Sequence, residues 1–240
     1  MKSRLDRDAF KSSGILEIGS YEDVASEYYD VKLHPTCADF RSASRSFLLK
    51  FFREQNPRGR IADVGCGLSL LSEFVTNDLV LVDGSPKMLA QNSGHAEKRL
   101  VDLEKDRFAQ SEFDWVFAIL ADPFNSVAAW MNIAIALREG GRCVFILPSN
   151  QWASRFRSRT PEEQAGFARF VRADKSSIFL PSAVHPPKQQ AALIESVSMK
   201  LTGFEQVFVR ELAQVNSPKI SEFLAPDDAI LDVYCAKSVS

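Results

Sequence analysis

The sequence predicts an α/β fold, a doubly wound and mostly parallel sheet with helices on both faces, and three observations carry that expectation. Short apolar runs recur from Ile61 to Pro148 and alternate with helical or loop-like segments. The runs are continuous rather than alternating, which suits strands covered on both faces. Repeated strand–crossover–strand units in one sheet take right-handed connections, and this favours double winding.

The elements follow in order. Thr36 to Gln55 sets Phe40, Ala43, Phe47, Leu48 and Phe51 at helical spacing, with Pro57-Arg58-Gly59 as a stop. That stripe reads as core packing. Ile61–Val64 is a strand that ends in glycines and opens into a helix, and Leu79–Val82 is a second strand, ending at Asp83. Ser85 before Pro86 is an N-cap followed by proline at the first helical position. Arg99–Val101, Trp115–Leu120 and Cys143–Leu147 are further strands, and a helix opens at Asn125 or Ser126 and stops at Gly140-Gly141. Thr160-Pro161-Glu162-Glu163 has the form of a capping box, predicting a helix through Phe167 and Val171. Lys188 to Leu201 reads as a helix broken by Gly203, and two β-like runs, Phe204–Leu212 and Ile230–Ala236, end the chain. Residues 1–240 are expected to form a single domain. Residues 1–57 would be its N-terminal lid of leader helices, and residues 149–188 an insertion capping the substrate.

Composition bounds the function. Twenty-nine Lys and Arg against 31 Asp and Glu leave a net charge of −2, which argues against a strong general field for nucleic acid or acidic membranes. No stretch approaches the roughly 20 apolar residues of a membrane helix. The charged start, Met1 to Asp8, lacks the apolar segment of a secretion signal. Cys37, Cys66, Cys143 and Cys235 are scattered without a C-x-x-C pair, as reduced thiols in a cytoplasmic protein would be. No His/Cys cluster has metal-ligand spacing, so no metal is expected.

The informative motif is Asp63-Val64-Gly65-Cys66-Gly67-Leu68-Ser69 at the end of a strand. Closely spaced glycines let backbone amides approach a ligand without a Cβ in the way. Asp63 lies two residues before the first glycine, where a cationic ammonium would find a partner. Asp83 closes the next strand, where a carboxylate can accept both ribose hydroxyls of an adenosine. A nicotinamide fingerprint would need a glycine at position 70, which is Leu70.

Asp63-Val64-Gly65-Cys66-Gly67 resembles motif I of the class I S-adenosylmethionine-dependent methyltransferases. Asp83 with Gly84-Ser85-Pro86-Lys87-Met88-Leu89 resembles their second-strand acidic site, and Val101-Asp102-Leu103 their adenine-edge position. Phe113 to Ala118, Leu137 to Arg142, and the terminal pair opened by Gly203-Phe204 resemble the later strands. The likeness covers residues 60–148 and, with less specific motifs, 200–237. It implies a Rossmann-like, seven-stranded, mostly parallel sheet with an antiparallel C-terminal strand. It also implies S-adenosylmethionine as cofactor and methyl transfer by in-line displacement.

The resemblance assigns roles. Asp63 would hold the methionine ammonium, Gly65, Cys66 and Gly67 would give the close backbone surface, and Asp83 would bind the ribose. Gly84, Ser85 and Met88 would line the adenosine, with Asp102 and Leu103 at the adenine edge. Ala118, Ile119 and Leu120 would border the methionine arm and the methyl group. Tyr21 to Asp30 looks like the aromatic leader that covers the cofactor through Tyr28, or else is a surface helix packing tyrosines. Ser69 departs from the family, many of whose members have glycine there. Asp122 reads as a turn or cap residue. His34 and His185 are the candidate bases, each also readable as a turn histidine.

A small-molecule acceptor is the expectation. An RNA or other nucleic-acid acceptor is the alternative, because the insertion carries Arg155, Arg157, Arg159, Arg169, Arg172, Lys175 and Lys188. A non-catalytic binding protein is a third reading, which side chains such as Tyr28 or Leu68 filling the pocket would favour. Trp152 is either a pocket wall or core.

Overall fold

The computed structural model describes residues 17–157 and 160–239. Residues 1–16 of the N-terminal segment, and Arg159 of the insertion, lie outside the described residues.

The main sheet has seven strands: β2 (Ile61–Val64), β3 (Leu79–Asp83), β4 (Glu97–Leu100), β5 (Phe113–Ile119), β6 (Leu137–Pro148), β9 (Met199–Phe208) and β10 (Ala229–Ser238). Their spatial order is β4-β3-β2-β5-β6-β10-β9. The first five pair in parallel, and β10 runs antiparallel to both β6 and β9. The order reverses beside β2, between β3 and β5, which opens a crevice beyond the carboxyl ends of these strands.

Side chains alternate across the sheet with a period of two. Ala62, Val64, Val80, Val82, Val116, Ala118 and Phe145 pack on one face. There they meet Trp130 and Ile133 of α4 (Val127–Ala136) and Ile194 of α7 (Pro187–Glu195). Ile61, Leu79, Leu81, Trp115, Phe117, Val144 and Ile146 pack on the other. Here the aromatic stripe of α2 (Pro35–Gln55) covers them, joined by Trp152 of α5 (Asn150–Phe156) and Ile220 of α8 (Pro218–Phe223). Each such buried side chain is worth about 1.5–3 kcal/mol, so the α2 stripe is a main support of that face. Trp152 is core, stacked edge-on against Phe40.

Several local expectations change. No α-helix follows the glycine loop, only a 3₁₀ turn at Leu71–Glu73. Side chains from elsewhere take the loop's amides instead, and α2 covers the sheet at this point. The capping box of Thr160 does form, but α6 (Pro161–Gln164) ends after four residues. Gly166 at φ +90 turns the chain, and β7 (Phe167–Val171) pairs antiparallel with β8 (Ser177–Pro181). The expected helix over Lys188–Leu201 stops at Glu195, and Ser198 at φ +60 leads directly into β9. The α4 helix ends at Ala136, and Gly140-Gly141 form a wide bulge at the head of β6, where Leu137 faces Phe113 and Arg142 already faces Trp115.

A second, small sheet has the order β1-β8-β7, with β1 (Glu17–Ile18) parallel to β8. The N-terminal segment is thereby hydrogen-bonded to the insertion. Tyr28 stacks on Phe170 at 5.9 Å, and the Glu27 carboxylate accepts from the Ala173 amide at 2.8 Å. Among the described residues no helix is long and apolar enough to cross a membrane.

Candidate active site

A cleft of about 250 Å³ opens at the carboxyl ends of the parallel strands. Its floor is Gly65, Cys66 and Gly67, and one side is formed by Asp83, Gly84 and Ser85 with Met88 of α3 (Pro86–Ala90). Val101 to Glu104 close the end beyond β4, while Ile119, Leu120, Pro123 and Phe124 form the end beyond β5. Tyr21 and Glu22 of α1 (Tyr21–Val24), with Tyr28 and Tyr29 after it, roof the cleft, and Arg41 reaches in from α2.

The glycines are required by space and by backbone. Gly65 has φ +62, and a Cβ there would lie 2.1 Å from the Phe124 ring. Gly67 has φ +46, and its Cβ would lie 2.1 Å from the Tyr29 hydroxyl. That hydroxyl accepts the Leu68 amide at 2.7 Å, and burial raises its pKa to about 12, so it stays neutral. The Arg41 guanidinium stacks over the Tyr29 ring at 4.6 Å.

Asp83 organises the adjoining turn. One of its oxygens accepts the Gly67 amide at 2.7 Å, the other the Ser85 amide at 2.8 Å. Burial raises its pKa, and these amide bonds oppose the rise. Ser85 caps α3 by accepting the Met88 amide at 3.0 Å. It also donates to the Glu22 carboxylate, which accepts the Lys87 amide at 3.0 Å and so ties α1 to α3.

Asp63 lies behind the loop, 1 % exposed. Its Oδ2 accepts from Ser69 Oγ at 2.6 Å, and its buried Oδ1 has no partner. Burial pushes its pKa up to about 7, with Ser69 and the distant Arg41 charge pulling the other way.

The cleft therefore gathers Gly65, Cys66, Gly67, Asp83, Gly84, Ser85, Met88, Asp102, Leu103, Ile119, Leu120 and Tyr28. Asp63 and Ala118 do not line it, because both are buried in the sheet. Neither candidate base reaches it. His34 precedes the first residue of α2 and stacks on Phe170 at 4.0 Å, with its pKa lowered by burial, and His185 Nε2 sits 3.3 Å from the Asn125 carbonyl. Asp122 is more than a turn residue. It is buried, pairs with Arg157 at 3.1 Å and accepts from Ser182, so the insertion is clamped to the end of β5. Among the described residues no cluster of His, Cys, Asp and Glu is arranged to hold a metal ion.

The sequence reading missed Arg41 and Tyr29. Arg41 sits among the core-facing residues of α2 with no partner nearby in the sequence, and only the fold carries it over the Tyr29 ring at the loop. A Tyr-Tyr pair before a helix of aromatic core residues was the available signal for Tyr29.

Comparison with known proteins agrees with the geometry. Residues 62–145 match the family model described as a methyltransferase domain. No curated protein matches the chain by sequence. Among solved structures, a DhpI complex with S-adenosylhomocysteine superposes with TM-score 0.61 at 17% identity, covering 91% of this chain and 93% of that one. The Burkholderia thailandensis 1,6-didemethyltoxoflavin N1-methyltransferase, with 1,6-didemethyltoxoflavin and S-adenosylhomocysteine bound, gives 0.53 at 15% identity, covering 91% and 86%. A methyltransferase in complex with the Trm112 activator of Haloferax volcanii gives 0.60 at 13% identity, covering 92% and 98%. At such identities the structural likeness speaks for the fold, and the matched domain spans the glycine loop, Asp83 and the strands that build the cleft. Residues 62–145 thus resemble a methyltransferase domain, and the chain around them has the fold of the S-adenosylmethionine-dependent methyltransferase structures it superposes on.

Proposed function

We propose that this protein transfers a methyl group from S-adenosylmethionine to a small-molecule acceptor. The observation that carries the reading is the aromatic roof over the cleft. Tyr21, Glu22, Tyr28 and Tyr29 overhang the cleft, and β1 pairing with β8 and Tyr28 stacking on Phe170 brace them from behind, so the N-terminal leader would act as the lid and the insertion as the cap that backs it. A cleft so overhung suits a small acceptor better than a polymer.

The residues fit the cofactor. The Gly65 and Gly67 cradle is the surface that a Cβ would fill, and Asp63 keeps one buried carboxylate oxygen without a partner, as a site for an ammonium requires. Asp63 would hold that ammonium through the loop, and Arg41 beside Tyr29 would hold the carboxylate. Asp83 would accept the ribose hydroxyls. Gly84, Ser85 and Met88 would face the adenosine, Asp102 and Leu103 the adenine edge. Tyr28, Ile119 and Leu120 would border the reacting methyl. When bound, the cofactor supplies an electrophilic methyl whose bond electrons stay on the departing sulfur. The protein contributes alignment and exclusion of water. Tyr28 lines the cleft without filling it, which favours an enzyme over a scaffold.

A nucleic-acid acceptor would call for free cations beside the cleft. Arg155, Arg157 and Arg172 are instead paired with Asp228, Asp122 and Glu17, and Arg169 is held by Ser177. The free thiols of all four cysteines support a cytoplasmic setting. The test follows S-adenosylhomocysteine release from S-adenosylmethionine against a library of small amines, phenols and heterocycles, and against total RNA. Turnover with a library member and none with RNA is expected, and the reverse pattern overturns the reading.

A further inference from the structure

We propose that the acceptor is an uncharged, planar aromatic compound, methylated on a nitrogen that is nucleophilic without a base. The proposal rests on the small-molecule reading above and gives its acceptor a chemistry.

The end of the cleft beyond β5 is walled by Tyr21, Tyr28, Ile119, Leu120, Pro123 and Phe124. The residues of that end carry no charge themselves. Of the charged groups lining the rest of the cleft, Arg41 lies over Tyr29, next to Tyr28, Glu22 is tied to α3, Asp83 organises its turn, and Asp102 and Glu104 follow β4. The β5 end therefore presents apolar and aromatic surface to whatever sits there. Tyr21 and Tyr28 meet edge to face at 5.4 Å, and Phe170 backs Tyr28. Such a corner favours a flat ring, which it can meet face-on or edge-on.

The nearest charges behind this wall are Asp122 and Arg157, which bond each other and Ser182. Both reach the field felt by Tyr21, one raising and one lowering its pKa, so they present a compensated pair rather than a net charge. With Arg41 taken up by the cofactor carboxylate, an anionic acceptor finds no free cation there, and a cationic one no free acid.

Among the residues that wall this end there is no histidine and no carboxylate, and its titratable groups are the two phenols. Tyr21 donates to the Pro181 carbonyl at 3.4 Å, and the Tyr28 hydroxyl meets the Cys37 thiol. Burial holds both phenols well above the ordinary phenol range, so each remains protonated at neutral pH. An alcohol must lose a proton to attack, whereas a heteroaromatic or aryl amine nitrogen carries its lone pair already. That lone pair would form the new carbon–nitrogen bond as the methyl's bond to sulfur breaks and its electrons stay on the sulfur. The product nitrogen keeps the positive charge, or loses an N–H proton to bulk water where it has one.

The test titrates quinoline and 2-naphthoate, two bicyclic rings of one size, into protein saturated with S-adenosylhomocysteine. Saturation itself is measured first by calorimetry. Failure of S-adenosylhomocysteine to bind sinks the cofactor reading and this proposal with it. Where it binds, the proposal expects quinoline to bind at least about tenfold tighter than 2-naphthoate, and equal or reversed affinities overturn the acceptor proposal alone. Asp122→Asn removes the charge that compensates Arg157 and is expected to tighten 2-naphthoate at least about fivefold, leaving quinoline within about twofold. The double change Asp122→Asn with Arg157→Gln is expected to return 2-naphthoate to its wild-type weakness. Unaltered 2-naphthoate affinity in a folded Asp122→Asn overturns the compensated-pair argument, and the wild-type ranking stands as a test even if that variant does not fold.

Discussion

Ser69 Oγ donates a 2.6 Å hydrogen bond to Asp63 Oδ2, and the second oxygen of that buried carboxylate has no partner. The residue that departs from the family's third glycine thus holds one side of the first acidic residue, leaving the other side to be satisfied. A carboxylate so placed prefers its proton, and its pKa rises to about 7.

An ammonium held in front of the glycine loop, with Asp63 behind it, favours the ionised form, so binding below about pH 7 must expel a proton. S-adenosylhomocysteine affinity is expected to rise about tenfold between pH 5.5 and 7, then flatten, with proton release at the acid end. Asp63→Asn should remove the slope. In the ligand-free protein the sign runs the other way. The folded state binds the proton more tightly than the unfolded one, so Asp63 costs stability as pH rises from the ordinary carboxylate range to about 7. Calorimetry in buffers of different ionisation enthalpy checks the first, and thermal melts across pH check the second.

Arg41 stacks on Tyr29 above the glycine loop. Replacing Arg41 by Ala should weaken S-adenosylhomocysteine binding about 10- to 100-fold, the loss of one charge-assisted contact of roughly 1.5–3 kcal/mol. Binding of the decarboxylated analogue should hardly change, because it brings no carboxylate. Titrations of both ligands into both proteins make the comparison.

The five-strand rhythm from Ile61 to Pro148, the α2 aromatic stripe and the Ser85 and Thr160 caps were legible because each rests on local sequence. The roof was not. Phe167–Val171 alternates too little to oppose a helix continuing from Thr160, and only the positive φ of Gly166 and pairing with β8 make it a strand. Asp122 looked like a turn because its partners, Arg157 and Ser182, are 35 and 60 residues away. Arg41 was hidden in the same way. Of the carried-over site residues, Asp63 and Ala118 belong to the strands beneath the cleft rather than to its lining.

The Asp122–Arg157 pair, with side chains 7% and 17% exposed, holds the insertion against β5. Asp122→Ala strands a mostly buried guanidinium and should cost about 3–5 kcal/mol. Adding Arg157→Met should recover part of that loss, since no lone charge remains. Chemical denaturation of the two variants measures the difference.

At Gly67 an alanine must hold φ +46 and displace the Tyr29 hydroxyl. Gly67→Ala should lose about 1–3 kcal/mol of stability from the strained backbone and weaken cofactor binding with it. Thermal melts with and without S-adenosylhomocysteine report both effects.

The most direct test is calorimetric titration of S-adenosylmethionine into the wild type and into Asp83→Ala, with circular dichroism confirming that both are folded. Asp83 accepts two amides in the ligand-free turn and is placed to accept the ribose hydroxyls once a nucleoside enters. The account predicts micromolar-range binding by the wild type and a loss of about 100-fold or more in the variant. A folded wild type that gives no heat, or an Asp83→Ala protein that binds as tightly, would contradict it.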